Sequence, residues 1–118
     1  MAVLVAVTDS DEGTLALDTA VAEARRRGTG LMAANLRLAP LDTSHVPADV
    51  ETTVLEREPD VEVGQHVLGL LDRHRDEVDL LVIGMKRRSP VGKLVLGSLA
   101  QFLLLNADVP VLAVKTPG

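Results

Sequence analysis

The segment Leu80-Leu81-Val82-Ile83-Gly84-Met85-Lys86-Arg87-Arg88-Ser89-Pro90-Val91-Gly92-Lys93-Leu94-Val95-Leu96-Gly97-Ser98 carries the architecture of the 118-residue chain. Residues 79–84 are aliphatic from Leu80 onward, the pattern of a strand buried on both faces of a parallel sheet. After Ser98, apolar residues return at Leu99, Phe102 and Leu103, the spacing of one face of a helix running to Asn106. Strand, polar loop and helix are half of a βαβ unit. The next buried strand is Val109-Pro110-Val111-Leu112-Ala113-Val114.

Upstream the same alternation recurs. Val3-Leu4-Val5-Ala6-Val7 is a second unbroken aliphatic run, closed by Thr8-Asp9-Ser10. Asp9 and Ser10 suit a helix cap, Asp11 and Glu12 its positive first turn, and Leu17, Ala20, Val21 and Ala24 its apolar stripe. Arg25, Arg26 and Arg27 match the negative end of that helix, and Gly28 follows as its terminator. Residues 31–38 predict a strand, 39–47 a loop, and the Thr- and Val-rich residues 50–56 a further strand suited to a sheet edge. Glu58-Pro59-Asp60 predicts the opening of a helix with Val63, Val67, Leu70 and Leu71 inward, His74 extending that stripe and His66 on the surface. The expectation is one domain spanning residues 1–118: an α/β fold, doubly wound, with a five-stranded parallel sheet and helices on both faces. Its ligand would sit at the carboxyl ends of the strands, near the turns after Val7 and Ile83.

Composition removes several classes of function. Without cysteine there is no disulfide framework, thiolate metal site or cysteine nucleophile. A formal charge of -5 and a lone aromatic, Phe102, oppose general nucleic-acid binding, which needs a basic face and stacking surfaces. The opening residues have no basic lead and too short an apolar run for a signal peptide or membrane span, so the expected setting is cytoplasmic. His45, His66 and His74 are too scattered to propose a metal site.

Two familiar phosphate motifs fail on spacing. Gly92-Lys93 is followed by Leu94, and Arg87 stands where a P-loop needs its first glycine. Thr8-Asp9-Ser10-Asp11 occupies the turn where a dinucleotide fingerprint needs glycines. What remains is an anion site built from a helix N-terminus at Gly97 and Ser98, with Lys86, Arg87, Arg88 and Lys93 in the loop before it.

Taken together, Val3-Leu4-Val5-Ala6-Val7-Thr8-Asp9-Ser10, Leu80-Leu81-Val82-Ile83-Gly84, Leu96-Gly97-Ser98 and Val109-Pro110-Val111-Leu112-Ala113-Val114 resemble the universal stress protein family over nearly the whole chain. Nucleotide-binding members carry Gly, two residues, Gly, nine residues, then Gly-Ser or Gly-Thr. Gly84, Gly97 and Ser98 match the outer positions, and Arg87 replaces the inner glycine. Thr8 stands where those relatives place an aspartate that contacts the nucleoside, Asp9 lies one residue on, and Ser10 matches a small polar residue. Leu36 falls near the adenine wall, while the connection after Leu38 looks short where most relatives place a helix.

The resemblance implies a stress-response regulatory homodimer, joined through the last strand, that binds ATP or a related adenine nucleotide weakly and is not an enzyme. Its binding residues would be Ala6, Thr8, Asp9, Ser10, Leu36, Gly84, Lys86, Arg87, Arg88, Gly97 and Ser98, with Mg admitted alongside the nucleotide. Two alternatives stand beside it. One is a ligand-free dimeric interaction module in which the Arg87 side chain fills the phosphate space; turned outward, the same side chain would pair with phosphate instead. The other is a slow Mg-dependent phosphohydrolase using Asp9.

Overall fold

The computed structural model describes residues 1–85 and 97–116. In chain order the elements are β1 (Ala2–Val7), α1 (Asp11–Arg27), β2 (Gly30–Asn35), β3 (Thr52–Glu56), α2 (Val63–Arg73), β4 (Val78–Met85), α3 (Ser98–Asn106) and β5 (Val111–Lys115). All strand pairs are parallel, in the order β3-β2-β1-β4-β5. The chain runs outward from β1 through β2 to β3, then returns to place β4 on the other side of β1. This reversal makes the β1/β4 boundary the switch point, where the carboxyl ends of neighbouring strands diverge into a crevice.

Alternation along the strands divides the core into two layers. Val3, Val5 and Val7 pack with Ala16, Leu17, Ala20 and Ala24 of α1. Ala2, Leu4 and Ala6 face the other way, against Val67, Leu70 and Leu71 of α2 and Ala100 and Leu103 of α3. The expected helices on both faces are therefore present. Between β2 and β3 the described chain has no helix; Leu41, Val46 and Val50 of that connection pack on the α1 layer instead. The register of β1 against β4 shifts at Asp79, the extra residue between the pairs Ala2/Val78 and Val3/Leu80.

Sequence signals at α1 translate directly. Ser10 caps it by accepting from the Gly13 amide, and Gly28 ends it at φ 67°, a left-handed geometry that glycine adopts without a Cβ penalty. Arg26 and Arg27 pair with Glu23 and Arg25 with Asp49, which accounts for the first basic cluster as helix-end electrostatics.

Other expectations need correction. Strand β2 ends at Asn35 rather than Leu38, because the Asn35 amide turns the chain by donating to the Ala39 carbonyl and its carbonyl oxygen accepts from the Arg37 amide. Helix α2 starts at Val63, not near Glu58: Asp60 is left-handed at φ 65°, and the Glu62 carboxylate caps the amides of Gly64 and Gln65. The buried stripe keeps the expected Val67, Leu70 and Leu71, with Val63 partly buried against them, and adds Gly64 and His66. His66 is thus 2% exposed rather than on the surface. His74 is not packed in the stripe but caps the helix end, half-exposed beside Glu77 at 3.7 Å. Strand β5 begins at Val111, so Pro110 lies before it, where its carbonyl accepts from the Leu81 amide and its missing N–H interrupts no ladder.

Candidate functional site

At the switch point the strand periodicity that builds the core also builds a cavity. Ala6 is the last small side chain of β1 on the α2/α3 side, and Thr8, just past the strand, borders the hollows that open there. Leu36, just past β2, belongs to this layer and is held by its amide, which donates to the Val7 carbonyl at 2.9 Å. Across the gap, α3 begins at Ser98, with Gly97 as its cap residue and no side chain capping its free amides.

Two adjoining hollows result. The larger, about 530 Å³, is lined by Thr8, Leu36, Glu62, Val63, Ser98, Leu99 and Phe102. A smaller recess of about 100 Å³ is lined by Ala6, Thr8, Glu12, Ile83, Gly84, Gly97, Leu99 and Ala100. Thr8 and Leu99 border both. The larger hollow sets Leu36, Val63, Leu99 and Phe102 beside Ser98 and Glu62, and the smaller sets Gly84, Gly97 and Glu12 among Ala6, Ile83, Leu99 and Ala100, at the positive end of α3.

The two glycines of the recess serve different purposes. A Cβ on Gly84 would fall 2.7 Å from the Glu12 carbonyl carbon and 2.8 Å from the Glu12 Cβ, so this glycine lets α1 approach β4. A Cβ on Gly97 would meet no atom of the described residues within 4 Å. Of the pair, Gly97 is the one with space before it among the described residues.

Of the residues expected in the site, Ala6, Thr8, Leu36, Gly84, Gly97 and Ser98 come together. Asp9 does not: its exposed carboxylate pairs with Arg37 at 3.5 Å and borders neither hollow. Ser10 is turned inward on its own loop, its hydroxyl 2.7 Å from that of Thr8 and accepting from the Gly13 amide. Lys86, Arg87, Arg88 and Lys93 lie outside the described residues. Glu12, Glu62, Val63, Leu99 and Phe102 complete the lining without having been singled out as ligand residues. The apolar triplet reads in the sequence as core, and only the packing of α2 on α3 turns it toward a cavity. Among the described residues, no group of three or more His, Asp or Glu side chains could hold a metal ion. No helix of the described residues is long and apolar enough to cross a membrane.

Residues 44–115 match the Universal stress protein family profile. The chain is also 36% identical over 125 residues to a "Universal stress protein" of Mycolicibacterium smegmatis (strain ATCC 700084 / mc(2)155), covering 90% of this chain and 91% of that protein. The chain belongs to the universal stress protein family. Among solved structures, it superposes on the universal stress protein from Archaeoglobus fulgidus with a TM-score of 0.74 at 26% identity, covering 98% of each chain. Two further universal stress protein structures share the fold. One, from Archaeoglobus fulgidus in complex with dAMP, gives a TM-score of 0.68 at 21% identity and covers 98% of each chain. The other, in complex with cAMP, gives 0.67 at 22%, covering 99% of this chain and 98% of that one. The α/β architecture read from the strand pattern is thus that of the universal stress proteins.

Proposed function

We propose that this universal stress protein is a stress-response regulator that binds an adenine nucleotide weakly, in the cavity between β1, β2 and α3. The observation carrying this reading is that the cavity brings the apolar side chains Leu36, Val63 and Phe102 beside the N-terminus of α3 at Gly97 and Ser98. A base seeks the first and a phosphate the second. The related structures holding dAMP and cAMP give the same class of ligand. Thr8, Leu36, Gly97 and Ser98 are the residues in contact in this reading; Lys86, Arg87 and Arg88 add charge from the loop. Binding rather than turnover is the function, and Mg enters only with a polyphosphate.

Weak binding follows from what is missing. Thr8 offers a neutral hydroxyl, already bonded to Ser10, where an aspartate would make a charge-assisted contact worth about 1.5–3 kcal/mol. A micromolar complex needs about 8 kcal/mol net of ordering costs, so micromolar or weaker affinity is expected. The engagement of Thr8 with Ser10 and of Asp9 with Arg37 favours, as the second reading, a ligand-free interaction module. In both readings β5, a sheet edge with half-buried Val111, Leu112, Ala113 and Val114, pairs across a two-fold axis to form a homodimer.

Titration calorimetry with AMP, ADP, ATP and cyclic AMP, on wild type and Leu36→Asp, decides between the two. Saturable heat in wild type and none in Leu36→Asp supports the nucleotide site. No heat at millimolar ligand leaves the interaction module. Light scattering at micromolar protein, showing only monomer, would remove the dimer from both.

A further inference from the structure

The small recess is bordered by an acidic residue that a phosphate site does not ask for. Glu12 borders it together with Gly84, Gly97 and Thr8. Its place is fixed by packing: with Gly84 lacking a Cβ, the Glu12 backbone and Cβ lie directly against β4, and the first turn of α1 has no room to swing away. Glu12 is half-buried, whereas Asp11 beside it is exposed and borders neither hollow. No cation among the described residues pairs with Glu12. A dipole-matching role explains an acid in this turn, and Asp11 already supplies one. It does not explain a second, half-buried acid bordering the same recess as Gly97.

We propose that Glu12 sets the phosphate charge that the site accepts, admitting nucleotides of low charge and opposing the free triphosphate. This rests on the nucleotide reading above. The physical basis is like-charge repulsion inside a recess only about 100 Å³ in volume, too small to interpose bulk water. The repulsion grows with each ionised phosphate placed within a Debye length, about 8–10 Å at moderate salt. Discrimination comes here from an element that opposes the wrong ligand as much as from contacts to the right one.

The test is a charge ladder. Dissociation constants for AMP, ADP and ATP are measured in chelator-containing, low-salt buffer for wild type, Glu12→Gln and Asp11→Asn, with thermal melts to confirm folding. Glu12→Gln should raise ATP affinity about tenfold and AMP affinity about threefold or less, while Asp11→Asn leaves the ratios of wild type. Added salt or Mg2+ should narrow the wild-type preference. Equal changes across the ladder, or equal effects of the two substitutions, would overturn the role of Glu12 while leaving the site intact. If wild type and variants bind no member of the ladder, the nucleotide reading itself falls, and the charge selection with it.

Discussion

Gly64 and the ring of Phe102 meet so closely that a Cβ on Gly64 would lie 2.7 Å from the ring Cε2. Helices α2 and α3 touch through this pair, and the same ring lines the cavity. Gly64→Ala should therefore cost about 1–3 kcal/mol as an overpacked contact and push the ring toward the cavity. Pairing it with Phe102→Ala tests the cause. If the contact is the reason, the double variant should be less unstable than the two single losses add up to, in a denaturant-melt cycle.

His66 is buried, and neither ring nitrogen is hydrogen-bonded among the described residues. Burial is the main cause that holds its pKa below the usual histidine value, opposed by nearby Glu58 and aided by Arg73 and Arg57. The folded state thus binds the proton less readily than the unfolded chain. Stability contributed by neutral His66 is complete above about pH 6.5, the unfolded value, and falls as pH drops from there toward the lowered folded value. Melting temperature should decline between pH 7 and 5, and His66→Leu should remove that part of the slope. The Glu23 carboxyl, lowered by its bonds to Arg26 and Arg27, acts in a separate window below its ordinary value of 4.5. An unchanged slope in His66→Leu would place the acid sensitivity elsewhere.

The buried α2 stripe makes a second stability contrast. Leu70 is 4% exposed in the α2/α3 layer, so Leu70→Ala should cost about 2–5 kcal/mol. Arg26 is on the surface and, among the described residues, pairs with Glu23 alone, so Arg26→Glu should cost about 1 kcal/mol or less and leave ligand affinity alone. Comparable losses in urea titrations of the two variants would mean that the α2 face is wrongly assigned.

How far the sequence reveals these features depends on what each residue answers to. β1 and β4 are legible because a strand covered on both faces must be aliphatic throughout. Ser10 and Gly28 are legible because caps obey local rules. The histidines show the limit: His66, three residues after Val63 and four before Leu70, shares the spacing of the buried stripe although a polar ring suggests the surface, and His74 leaves the stripe because the helix ends at Arg73. Within the site, residues at strand ends such as Ala6, Thr8 and Leu36 follow from topology. Glu12 and Phe102 are placed by contacts between elements, which no spacing rule encodes.

The two glycines at the recess offer the sharpest separation of packing from binding. Gly97→Val adds a side chain into space that no atom of the described residues occupies within 4 Å of the Cβ, at an extended backbone position (φ -65°, ψ 159°) that valine tolerates. Its cost to folding should be about 1 kcal/mol or less, the difference between glycine and an apolar residue as a helix cap. That space is where the phosphate is expected, so nucleotide heat in calorimetry should vanish. Gly84→Val acts in reverse: its Cβ would collide with the Glu12 backbone, which cannot move without displacing α1 from β4. It should lower the melting temperature sharply, with any loss of affinity following from unfolding. A folded Gly97→Val that still binds at wild-type affinity would mean that ligand, if bound, lies away from the α3 N-terminus. A Gly84→Val as stable as wild type would mean that α1 is not anchored at Glu12, and the fixed carboxylate on which charge selection depends would be lost with it.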